Sequence, residues 1–258
     1  GNVNLSPFSF FNLFSTEPPV VVFSPSRRVR NNTTKHTLEN VLKIPEVVVN
    51  LVDEDMVQQM SLASCEYPRG INEFDKAGFT MLPSISIRPP LVKESKAKME
   101  CRVLEIKALG NQGGAGNLVI CEIVLLHVDA SVLDANNRVD QEKIHHVARL
   151  GGDWYCKISK QDLFEVPKPN IHLGIGVDAL PHSIKNSTIL SGNDLGKLAN
   201  VTAIPQQLEG YKDPKLTRLL AESTGKTAKE ALHRYSKAAL QKGAVEKAWQ
   251  LLLIADSL

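Results

Sequence analysis

No stretch of this 258-residue chain approaches the roughly 20 uninterrupted apolar residues of a membrane helix, and its start lacks a basic segment followed by an apolar one. A soluble, cytoplasmic protein with no membrane partner is expected. Charge of one sign is equally wanting: 30 basic side chains stand against 28 acidic ones, and no basic block exceeds Arg27-Arg28-Val29-Arg30. Nothing here would hold a nucleic-acid backbone. The four cysteines (Cys65, Cys101, Cys121, Cys156) form no Cys-x-x-Cys pair and no Cys/His comb, so a reducing compartment and no metal site are expected. Gly-x-Ser-x-Gly, His-Glu-x-x-His and a Gly-x-Gly-x-x-Gly following a strand are all missing, which removes the usual support for hydrolase, zinc protease and dinucleotide-fold readings. Aromatics are scarce at 5%, yet five of the eight phenylalanines (Phe8, Phe10, Phe11, Phe14, Phe23) fall within the first 23 residues.

With 43% hydrophobic residues the chain can bury one large core or two modest ones. Residues 1–24 predict two strands joined through Thr16-Glu17-Pro18, the second being the β-branched run after Pro19. Asn31, Asn32, Thr33 and Thr34 offer N-caps to a short helix over 35–42. A strand follows over 47–52, and Asp53, Glu54 and Asp55 then open a helix running to about Ser61, where carboxylates suit the helix dipole. Asn72 and Gly78 bracket a further short helix outside the main sheet. Residues 98–107 and 118–129, split by a glycine-rich turn at 110–116, form the clearest hairpin. The alternation of Met99, Cys101 and Val103 with Glu100, Arg102 and Leu104 predicts one buried face. This β-dominated region extends to about Cys156 and makes a first domain over 1–166. Pro167-Lys168-Pro169 reads as a linker, and the extension over 167–258 is expected to be largely helical from about 213, with breaks at Gly225 and Gly243.

Three constellations could carry chemistry. Ser6, Pro7, Phe8, Ser9, Phe10, Phe11 and Asn12 interleave rings with hydroxyls and an amide, a mixture that suits a planar heteroaromatic ligand. An aromatic core strand with its polar residues turned outward accounts for the same pattern. Phe23, Ser24, Pro25, Ser26, Arg27 and Arg28, with Lys35, His36 and Thr37 at a helix start, could cradle a phosphate; a solvated turn and an ordinary cap account for them too. Finally, Arg149, Gly151, Gly152, Trp154 and Tyr155 combine a flexible turn with two rings able to cover a flat ligand. His145 and His146, adjacent on a strand, point to opposite sides and cannot readily share a metal.

Further segments extend the series: Gly1-Asn2-Val3-Asn4-Leu5 before Ser6, Pro18-Pro19-Val20-Val21-Val22-Phe23-Ser24, Lys35-His36-Thr37-Leu38-Glu39-Asn40, Glu46-Val47-Val48-Val49-Asn50-Leu51-Val52, Arg88-Pro89-Pro90 and Ala148-Arg149-Leu150-Gly151-Gly152. In this order, over about residues 1–165, they resemble the flavin reductase-like family of FMN-binding split barrels, which includes flavoredoxin and the flavin reductases of two-component monooxygenases. The resemblance implies a mainly β fold with peripheral helices: a six-stranded antiparallel split barrel, paired as a homodimer with FMN near the interface. It places Ser6 to Asn12 on the isoalloxazine and ribityl chain, Phe23 to Ser26 along the middle, and Arg27, Lys35, His36 and Thr37 on the phosphate. Arg149, Gly151, Gly152, Trp154 and Tyr155 would close the site, and a strand preceding Gly1 would complete it. Many relatives carry Lys-Asp-Thr where this chain has Lys35-His36-Thr37.

The implied activity is hydride transfer from NADH or NADPH to FMN and on to an acceptor, such as a monooxygenase or another electron-accepting protein. FMN carries that chemistry and no catalytic side chain is required. A non-enzymatic FMN-binding electron carrier, or a flavin-binding interaction module, is the alternative.

Overall fold

A computed structural model describes residues 3–168 and 172–258. Gly1 and Asn2 of the first motif and Pro169 of the linker motif lie outside the described residues. The chain divides into two compact units, Gly1–Phe164 and Glu165–Leu258, so the division falls two residues before the expected boundary.

In the first unit, β1 (Phe11–Thr16) and β2 (Pro19–Phe23) form the expected hairpin around a turn that holds the cis Glu17–Pro18 peptide. After α1 (His36–Lys43), β3 (Glu46–Asn50), α2 (Val57–Leu62), α3 (Glu73–Ala77) and the two-residue strands β4 (Met81–Leu82) and β5 (Leu91–Val92), the long hairpin β6 (Ala97–Ala108) and β7 (Asn117–Val128) supplies the centre. The main sheet is antiparallel in the order β1-β2-β7-β6-β3. Among the described residues it has five strands and stays open, where the resemblance implies a six-stranded split barrel. A small exposed hairpin, β8 (Val147–Arg149) with β9 (Tyr155–Lys157), follows.

Val21, Cys101, Val119 and Cys121 are at most 1% exposed and form the heart of the sheet core, with Leu38 and Val41 of α1 packed against them. Here the simple alternation fails at one residue. Glu100 stays on the face of β6 opposite Cys101, the face it shares with Lys98 and with His127 paired across from Lys98, and residues 85 and 86 cover that face, so both Glu100 and Cys101 are fully buried. The carboxylate is satisfied: it accepts from Ile85 N at 2.8 Å and Ser86 N at 2.6 Å, and His127 Nε2 lies 2.7 Å away. Burial opposes its ionisation, but these partners outweigh burial and hold its pKa below the usual value.

Two helix starts differ from expectation. α1 has no side-chain cap, because each candidate is engaged elsewhere: Asn31 accepts from Thr33, Asn32 from Arg27, and Thr34 donates to Glu39. Its N-cap is Lys35, which cannot accept a hydrogen bond. The carboxylates at 53 and 55 lie before α2, which starts only at Val57, and they gather on Lys96 Nζ at 3.0 and 2.7 Å. α3 follows its sequence signals, with Asn72 accepting from Phe74 N and Gly78 in the left-handed region at φ 69°.

The second unit is helical: α4 (His182–Lys185), α5 (Gly192–Ala199), α6 (Pro214–Glu222), α7 (Gly225–Gln241) and α8 (Val245–Asp256). Helix therefore begins about thirty residues before the expected start at 213, and a Ser191/Asp194 capping box marks α5. Trp249, Leu252, Leu240, Leu198 and Ile184 have no exposed surface and build its core. Asp213 caps α6 through Lys215 N and Leu216 N, both at 2.9 Å. No described helix is long and apolar enough to cross a membrane.

Candidate functional site

The glycine-rich turn between β6 and β7 sets up the site from behind. A Cβ at Gly116 would lie 2.6 Å from Ser24 Oγ, and one at Gly113 would lie 2.9 Å from Val29 O. Absence of side chains there lets the turn press against the segment after β2, where Arg27 N donates to Ala115 O and Gly114 N to Arg27 O. Asn117 Nδ2 donates to Pro25 O at 2.9 Å. So anchored, the segment sends its two arginines in different directions. Arg27 turns to Asn32, with Nε 2.7 Å from Asn32 Oδ1. Arg28 is held by Thr33 Oγ1 at 3.1 Å and by Thr34 O, and its guanidinium borders a small cavity.

That cavity, about 60 Å³, is lined by Arg28, by Lys35, His36 and Thr37 at the start of α1, by Asn4 and Ser6, and by Ala63 to Tyr67 and Glu73. Burial first, then the neighbouring Arg28, lowers the Lys35 pKa from its ordinary value. His36 is lowered likewise by burial, Arg28 and Arg69. Among the described residues no carboxylate pairs with the Lys35 ammonium, which stands 5.4 Å over the Phe8 ring. Arg28 has one acidic neighbour, Glu66, at 3.8 Å. Lys35 and His36, whose charged forms burial disfavours, and Arg28 beside an uncapped helix N-terminus make a place where an anion is welcome.

The opposite wall is closed by hydrogen bonds. Glu73, 5% exposed, accepts from Asn4 Nδ2 and Leu5 N, both at 3.0 Å. This fixes the Asn4 amide so that its oxygen faces Thr37, whose hydroxyl donates to it at 2.6 Å. The Thr37 proton is thereby committed within the protein.

Of the residues singled out from sequence, Ser6, Arg28, Lys35, His36 and Thr37 line the cavity. Phe8 and Phe23 stack at 5.4 Å between centroids, with Phe23 4% exposed within the core and Phe8 and Phe11 packed against that cluster. Pro7 and Ser26 are half-buried, and Ser24 and Pro25 are buried. Ser9 and Asn12 are exposed, and Phe10 stands 68% exposed. Arg27 does not line the cavity, whereas its neighbour Arg28 does. Arg149, Gly151, Gly152, Trp154 and Tyr155 sit on the exposed β8–β9 hairpin and do not line the cavity; Arg149 donates to Gly152 O and lies 5.8 Å over Tyr155. Ser64, Cys65, Glu66, Tyr67 and Glu73 are new to the site. The first four come from the connection between α2 and α3 and Glu73 opens α3, and no local pattern ties either to residue 35.

A larger, open concavity of about 420 Å³ lies in the second unit beside Thr188, Ile189, Arg234 and Lys237. Lys237 there donates to Ile189 O at 2.8 Å, and Arg234 is an exposed side chain with Glu230 at the loose distance of 3.8 Å.

Comparison with known proteins points the same way for the first unit. The family of the flavin reductase like domain matches residues 1–143. An uncharacterised protein of Aquifex aeolicus is 38% identical over 157 residues, 61% of this chain and 78% of its own length. The crystal structure of nitrilotriacetate monooxygenase component B from Bacillus cereus superposes with a TM-score of 0.59 at 29% identity, covering 64% of this chain and 81% of that one. A Shewanella frigidimarina protein with a split barrel domain gives 0.56 at 28%, covering 65% and 80%. The open sheet with its flanking helices is this split barrel fold, and the chain belongs to the flavin reductase-like family.

Proposed function

We propose that the chain is a flavin reductase that uses FMN, takes hydride from NADH or NADPH, and delivers electrons to an acceptor. The observation that carries this reading is the pair of weakly compensated cations, Arg28 and Lys35, at the uncapped start of α1 in a family of flavin reductases. The residues fit a phosphomonoester. Arg28 offers the N–H groups it does not spend on Thr33 and Thr34, Lys35 a mobile point charge, and the first turn of α1 its free amides.

A flavin held by these residues would supply the hydride-accepting and electron-passing chemistry. Ser6 at the cavity wall and the Phe8 ring beside it run from the phosphate end toward the Phe10 and Phe11 segment, where the ring system would lie. Glu73, through Asn4, holds the N-terminal segment and Thr37 in fixed geometry, so the ligand meets a preorganised wall. No side chain is asked to act as acid or base. The exposed Trp154 and Tyr155 suit a role across a homodimer interface, closing the flavin site of a second copy. Similarity to a monooxygenase component supports a monooxygenase as one acceptor of the reduced flavin.

The test is anaerobic stopped-flow mixing of the full chain and FMN with NADH or NADPH. Bleaching of the flavin absorbance well above the protein-free rate is expected with at least one donor. Retained flavin with no bleaching by either would replace the enzyme with a passive electron carrier.

A further inference from the structure

Among the charged groups around the cavity, Glu66 differs from the others. The Glu73 carboxylate is buried and receives two hydrogen bonds, and Glu39 is engaged by Thr34 and Arg69. Glu66 has a side chain 57% exposed, on the connection between α2 and α3, and it reaches over to Arg28 at the loose distance of 3.8 Å. Arg28, 17% exposed, is meanwhile fixed by Thr33 and Thr34, so the mobile partner of this pair is the carboxylate. Its negative charge also acts on Lys35, opposing the effect of burial there. The cavity thus holds two cations, Arg28 and Lys35, and two carboxylates, Glu66 and Glu73. Only Glu66 is free to leave.

We propose that Glu66 is a specificity-determining residue of this cradle: its carboxylate occupies the anion position beside Arg28 in the free protein, and an incoming phosphate must displace it. This rests on the reading of the cavity as a phosphate site. A tethered carboxylate competes with every anion at high effective concentration. A singly charged anion replaces it like for like, whereas a phosphomonoester dianion brings one further charge to Lys35 and wins the exchange. Glu66 therefore weakens phosphate binding and screens the cradle against carboxylates and other monoanions. Its release to solvent costs little, because it is already more than half exposed.

The test is titration of the full chain and of Glu66→Gln with inorganic phosphate, FMN and riboflavin, alongside thermal melts. Glu66→Gln is expected to bind phosphate and FMN about three-fold more tightly, the worth of a half-exposed ion pair. Riboflavin affinity and melting temperature should not change, and Glu66→Asp, which keeps the charge, should stay near the wild type. Unchanged or weaker FMN binding by Glu66→Gln overturns the proposal, as does an equal gain for riboflavin. A wild-type chain that binds neither phosphate nor FMN overturns the phosphate-site reading itself, and the proposal with it.

Discussion

One cation cluster in each unit is held in the opposite way to the other. In the second, Lys247 Nζ closes on Asp213 Oδ2 at 2.5 Å, Tyr235 Oη donates to the same carboxylate at 3.0 Å, and Lys215 and Lys247 cover the Tyr235 ring at 4.5 and 4.7 Å. Burial works against that carboxylate, yet Lys247, the amides of α6 and Tyr235 hold its pKa at about 2, and Lys247 is raised in return. In the first unit Arg28 and Lys35 have no such partner, and Lys35 is shifted the other way. Charges that satisfy one another serve the fold. Those left short of a partner beside a cavity serve a ligand.

Substitutions can break this contrast. The largest effect is expected from Lys35→Ala, which should weaken FMN binding about thirty-fold, the loss of one charge-assisted contact, without lowering the melting temperature. A calorimetric titration with a parallel melt reads both. Asp213→Asn should do the reverse, costing the second unit about 2 kcal/mol while FMN affinity stays constant. Because the folded pKa lies below the ordinary 3.8, the Asp213 contribution is complete above about pH 4 and is lost as pH falls toward about 2. Urea unfolding at pH 5 and at about pH 2.5 should show the wild type and Asp213→Asn converging in acid. Thr37→Val, which removes a hydrogen bond internal to the protein, should cost about 1 kcal/mol in the same assay and change FMN affinity less than Lys35→Ala does. Trp154→Ala is expected to move stability by no more than about 0.5 kcal/mol, since that ring is 75% exposed.

Much of this was legible in the residues. The β6–β7 hairpin, the β1–β2 pair and α3 follow from alternation, turn chemistry and caps, which are local signals, and Lys35, His36 and Thr37 enter the cavity as a contiguous helix start. What stayed hidden depends on contacts between distant segments. Glu100 is buried on the face that alternation assigns to solvent, because only the fold lays the amides of residues 85 and 86 over it. The choice between Arg27 and Arg28 is set by how the glycine-rich turn grips the chain. The residues from 63 to 67 carry no periodicity or motif and reach the site through the packing of α2 and α3. α5 is a different case: its capping box was present in the sequence, but the helix is only eight residues long and two of them are glycine.

The central claim is that this chain recognises its flavin through the phosphate. Fluorescence titration of the wild-type chain with FMN and with riboflavin, which differ only in that group, tests it most directly. With Arg28 and Lys35 both engaged, FMN should bind about a hundred-fold or more tightly than riboflavin. Equal affinities for the two would contradict the account.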